Sequence, residues 1–141
     1  MKILQDLAAP IGRILLSAIF VLAGINKIGS YDATMQYMDG FGVPGSLLPL
    51  VIVAEIGLGL AVAFGLFSRL SALGLAGFSI VSAMIFHGNI GDQMQFILFA
   101  KNFAMAGGFL MIWANGPGAY ALDNIAGIGR YSNIPKGHEA A

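Results

Sequence analysis

The chain has 141 residues, 57% of them hydrophobic and only 10% charged, with a mean hydropathy of +0.81. A soluble domain carries about a quarter charged residues, so too few charges are present to coat a water-facing globule. The formal net charge of zero excludes a basic stripe for nucleic acid. The lack of cysteine excludes disulfides, thiol redox chemistry and iron–sulfur or thiolate metal sites.

Four long apolar runs follow one another along the chain. The first covers about residues 9–28, with Arg13 and Lys27 near its ends. A cleavable leader fits it poorly, because Arg13 interrupts the apolar region and Asp6 lies where a positive segment belongs. Within it, Arg13, Ser17, Phe20, Gly24 and Lys27 are spaced 4, 3, 4 and 3, and so share one helical face. Residues 29–45 hold four glycines, two aspartates and Pro44, and read as the longest loop, with Tyr31, Tyr37 and Phe41 resting at the membrane surface. The second run, 46–67, contains one charge, Glu55, and the turn after it is short, Gly65 to Arg69. The third, 70–86, has none, and His87 to Gln95 forms the next connection. The fourth, 96–114, contains Lys101 and has Trp113 at its end as an interfacial anchor. Asn115-Gly116-Pro117-Gly118 then stops the helix, leaving a polar tail over 115–141.

Each run approaches the ~20 residues that cross ~30 Å of hydrocarbon at ~1.5 Å per residue. The soluble alternative, four buried core helices, leaves almost nothing amphipathic to cover them. The expected fold is therefore all-α: a single-domain, up-down-up-down four-helix bundle in the membrane, with lipid as its first partner. Small residues recur at Gly57, Gly59, Gly74, Gly77, Ala104, Gly107 and Gly108, which lets helices approach closely in lipid. Four spans put both termini on one side, together with Lys2, Arg69, Arg130, Lys136 and Arg13 just inside the helix. The other side has Lys27 against Asp32, Asp39 and Asp92. The excess of Lys and Arg predicts cytoplasmic N and C termini.

With that orientation, Glu55 lies ~13 Å and Lys101 ~8 Å below the outer surface at helical rise. Lys27 and His87 end their spans on the same side. Four helices thus contribute ionisable groups to the outer half of the bundle. A charge at mid-membrane costs about 2.5–3.5 kcal/mol on insertion scales, so such groups face inward and pair. Glu55 and Lys101, opposite in sign and similar in depth, are the expected partners, with Asn102 and Gln95 in reach. Two readings stand: a polar ligand pocket, or an ion pair that only sets helix register. Arg13 and Arg69 sit where long side chains snorkel to the interface. A haem needs a second histidine from another helix or another copy, and Glu55, His87 and Asp92 have no metal-ligand spacing. No hydrolase or nucleotide motif is present.

The ordered set Arg13, Phe20-x-x-x-Gly24-x-x-Lys27, Gln36-Tyr37, Gly42-Val43-Pro44, Glu55, Gly65, Arg69, His87, Lys101-Asn102, Gly107-Gly108, Gly116-Pro117-Gly118 and Asp123 resembles the DoxX family of small four-helix bacterial membrane proteins. That resemblance covers nearly all of residues 9–123. It implies a bacterial inner-membrane protein linked to quinol oxidation and quinone reduction, or a membrane partner of redox enzymes. Without the ligands for oxidase metal centres, such a chain acts with redox partner subunits rather than catalysing alone. The leading expectation is a subunit that binds quinone or quinol through Glu55, Lys101, Lys27, His87 and Asn102. The alternatives are a structural or assembly subunit and, third, a small transporter or channel. Transport would require several copies in a homo-oligomer, since the spans carry no pair of proline-broken half-helices.

Overall fold

A computed structural model describes residues 1–128. It contains α1 (Lys2–Gly29), α2 (Tyr31–Gly40), a 3-10 turn (Gly45–Leu47), α3 (Leu48–Phe64), α4 (Ser68–Phe86), α5 (Gln93–Asn115) and α6 (Leu122–Ala126). No strand occurs among the described residues. Four helices, counting the 3-10 turn with α3, are long and apolar enough to cross a membrane. The surface they present is apolar: Ile11, Ile14, Leu15, Leu22 and Ile25 are all exposed on α1 alone. In water such a surface would be a severe liability; in lipid it is the matched solvent. The chain is a multi-pass membrane protein.

The spans pair as α1 with α3, α4 with α5, and α3 with α4. Arg13 of α1 meets Val62 near the end of α3 and Gly24 meets Ile56 in its middle, so these two spans run antiparallel. Close approach of α1 and α3 depends on glycine. A Cβ at Gly24 would lie 2.5 Å from Ile56 Cγ1, and one at Gly59 would lie 2.9 Å from Val21 Cγ2. The α1 face read from the 4-3-4-3 spacing is the one the bundle buries: Arg13, Ser17, Phe20 and Gly24. One core gathers Phe20, Val62, Leu75, Ala76, Ala106 and Phe109; a second gathers Met38, Leu48 and Ile52.

Several boundaries move. The first helix starts at Lys2, because residues 2–9 contain no glycine or proline and continue the helix ahead of Pro10. The expected loop over 29–45 contains a ten-residue helix, α2. Apart from Gly29, which ends α1, its glycines and proline fall at position 40 and beyond, and nothing from Tyr31 to Asp39 opposes a helix. Asp39 Oδ1 accepts the Gly45 N–H at 2.7 Å and closes the return to α3.

The tail is also more structured than its composition suggests. Asp123 is 5% exposed and accepts hydrogen bonds from the N–H groups of Phe67 (2.6 Å) and Ser68 (2.8 Å) at the start of α4. Phe67 has a left-handed backbone, φ 45°, costly for a residue with a side chain. The Asp123 carboxylate holds it there from 56 residues away. Gly65, at φ 71°, ends α3 without that cost, and its carbonyl accepts the Asp123 N–H. Arg130, Lys136 and His138 lie outside the described residues.

Candidate functional site

Glu55 faces inward from the middle of α3 and is 4% exposed. Its partner is Lys27, whose Nζ donates to Glu55 Oε1 at 2.9 Å. This corrects the expected Glu55–Lys101 pair: position around the bundle, not only position along a helix, decides contact. Helix α1 packs directly on α3 through Gly24, whereas α5 packs on α4. Lys101 has no ion-pair partner among the described residues. Asn102 donates to Leu98 O of its own helix at 2.9 Å, and Gln95 Oε1 lies 2.8 Å from His87 Nδ1. Neither amide reaches Glu55.

Even so, Lys27, Glu55, His87, Lys101 and Asn102 line one cavity of about 470 Å³. Its walls are otherwise mostly apolar, including Phe20, Met38, Phe78, Ile85 and Met105. Phe20 and Phe78 meet edge to face at 6.3 Å on one side. On the other, Tyr37 of α2 stacks on Phe86 at 5.5 Å, and Phe41 packs on both. The second oxygen of Glu55 is buried and has no hydrogen-bond partner among the described residues. A buried carboxylate oxygen left this way is expensive. The arrangement can bind an apolar molecule bearing hydrogen-bonding oxygens, with cationic donors and a proton acceptor on its walls.

Thr34, Tyr37 and Ser82 also line this cavity. Thr34 went unnoticed in the sequence, and Tyr37 was expected at the membrane surface rather than on a cavity wall, because their segment read as a loop; the nine residues from Tyr31 to Asp39, free of glycine and proline, were the signal. Ser82 could not be told from the other small residues of its span.

The remaining singled-out residues lie away from the cavity. Arg13 is 3% exposed and donates to Val62 O (3.2 Å), Ala63 O (3.1 Å) and Tyr120 O. It does not snorkel. It satisfies carbonyls at the end of α3, which lack helical partners, and ties the tail to α1. Arg69 and Trp113 are exposed near the same end. Among the described residues no group of three His, Asp or Glu is placed to hold a metal ion.

An α-helical membrane bundle with an ion pair set in a largely apolar cavity defines the class. The DoxX family model matches residues 8–88. The chain is 45% identical over 125 residues to the inner membrane protein YqjF of Escherichia coli (strain K12), covering 89% of this chain and 96% of that protein. It is 34% identical over 120 residues to the inner membrane protein YphA of the same organism, covering 80% of this chain and 86% of that one. No solved structure matches the chain. The chain belongs to the DoxX family. The matched segment includes Arg13, Gly24, Lys27, Glu55, Arg69 and His87 and ends before α5, so Lys101 and Asn102 lie beyond it.

Proposed function

We propose that this protein is a redox-associated subunit of the bacterial inner membrane that binds quinone or quinol in the cavity around Glu55. The observation that carries the reading is the state of Glu55: deeply buried, one oxygen on Lys27, the other unpartnered, at the wall of an apolar cavity of about 470 Å³. That volume lies within the roughly 300–1,000 Å³ of small-molecule sites. A quinone supplies two-electron, two-proton chemistry on an apolar ring with two carbonyl oxygens. Lys101, Lys27 and His87 are the donors for such oxygens, and Glu55 is the group that exchanges a proton. Electrons then pass through a redox partner subunit.

The relatives named as inner membrane proteins support this location. The excess of Lys and Arg at the end bearing Lys2, Arg13 and Arg69 supports cytoplasmic N and C termini. The cavity then opens toward the outer leaflet, and α2 lies on the outer side.

A short-chain ubiquinone titrated into the protein in nanodiscs tests the reading. Saturable binding is expected, weakened about tenfold or more in Glu55→Gln and Lys101→Met, with unchanged helical circular dichroism. Absence of saturable binding to the wild-type protein overturns it. The Lys27–Glu55 ion pair favours a second reading, an assembly subunit in which the charges only set the register of α1 on α3.

A further inference from the structure

A second cavity, of about 340 Å³, lies at the opposite end of the bundle, between the start of α4 and the segment that follows α5. Ser68, Arg69, Asn115, Gly116, Asp123 and Asn124 are on its walls. None of these residues borders the Glu55 cavity.

Several donors here have no partner among the described residues. Ser68 is 1% exposed, and its Oγ has no hydrogen-bond partner among the described residues. The first N–H groups of a helix have no partner within it. Asp123 accepts those of Phe67 and Ser68, and the Ser71 N–H reaches Phe67 O. The N–H groups of Arg69 and Leu70 remain, at the positive end of a 19-residue helix. The Arg69 guanidinium, a donor with no acceptor capacity, forms no ion pair among the described residues. It lies over Gly116, where a Cβ would come within 3.3 Å of its Nη2. The Asn115 and Asn124 amides already donate to carbonyls.

Asp123 is the one anionic wall. Both its oxygens accept backbone N–H groups, and the Arg13 guanidinium bonds Tyr120 O three residues earlier. Its two oxygens are thus already taken by backbone donors, while the Arg69 guanidinium has no anionic partner among the described residues. Depth agrees with the chemistry. Trp113 and Tyr120, 47% and 55% exposed, stand two residues before Asn115 and two after Gly118 of its walls, and exposed aromatic residues of this kind mark the headgroup level of a bilayer.

We propose that this cavity is a phosphate-binding site, with Arg69, the Ser68 hydroxyl and the open N–H groups of α4 as its donors. A phospholipid headgroup and a soluble phosphate both present that chemistry. The site is independent of the quinone reading.

The test uses the full chain in maltoside micelles without phosphate, following thermal unfolding through the single tryptophan, Trp113. Micelles doped with dioleoylphosphatidylglycerol, with dioleoylglycerol lacking the phosphate, or supplemented with inorganic phosphate form the three arms. A ligand that binds only the folded state raises Tm. Phosphatidylglycerol is expected to raise it by several degrees, and dioleoylglycerol not at all. An equal rise with inorganic phosphate identifies a soluble source; a rise with the lipid alone identifies the headgroup. Arg69→Gln should weaken the apparent affinity about tenfold or more. Ser68→Ala should weaken it as well, while leaving the ligand-free Tm equal or higher, because a buried unpartnered hydroxyl has been removed. The proposal is overturned if neither phosphate compound raises Tm, if dioleoylglycerol is as effective as the lipid, or if both variants keep the full shift.

Discussion

Glu55 and Lys27 show how one residue's environment sets its chemistry. A carboxylate this deep in an apolar bundle is tolerated because an ammonium reaches it at 2.9 Å. Lys27→Met should leave that charge without its partner and destabilise the protein by about 3–5 kcal/mol, the range for breaking one side of a buried ion pair; unfolding in mixed micelles measures it. The exchange Lys27→Glu with Glu55→Lys separates the two functional readings. If the pair only sets register, the exchange should recover most of the stability lost in Lys27→Met and retain whatever activity or assembly the wild type supports. If Glu55 serves a ligand, stability should return and quinone binding should not. The existence of a polar cluster was legible in the sequence, since four ionisable groups of similar depth stood in otherwise apolar runs. The partner was not. Periodicity assigns faces within a helix, whereas which helix lies beside which depends on packing along the whole span.

At the scale of elements, the contact of α1 with α3 rests on the absence of side chains. Gly24 faces Ile56, and Gly59 faces Val21, while Gly57 and Gly107 have open space where a Cβ would go. Gly24→Ala should therefore cost about 1–3 kcal/mol, the usual cost of overpacking. Gly57→Ala and Gly107→Ala should be neutral or slightly stabilising, because alanine favours helix over glycine by about 1 kcal/mol. Thermal unfolding of the three variants in one detergent decides this, and a uniform response would contradict the close approach at Gly24. In the sequence the small residues of the spans looked alike. Only the neighbours tell a packing glycine from one that faces lipid. The same limit applies to α2: propensity allowed a helix over 31–40, yet its short length and mixed composition set no face until Tyr37 met Phe86 and Met38 met Leu48 and Ile52.

For the whole molecule, orientation is the main consequence still carried by charge alone. With no native cysteine, single introduced cysteines report sidedness cleanly. Asn89→Cys should react in intact cells with a membrane-impermeant maleimide, and Asn115→Cys only after the membrane is opened. The reverse pattern would invert the bundle and turn the Glu55 cavity toward the cytoplasm. Composition and run length were enough to determine four spans, their order and the inward face of α1, because hydrophobic thickness and helical periodicity act locally along the chain. Tertiary structure alone decided that Lys27 rather than Lys101 neutralises Glu55, that α2 closes one end of the cavity, and that Arg13 and Asp123 clasp the other end of the bundle. Those contacts join residues 28 to 107 positions apart, and they form only when several helices have already chosen their neighbours.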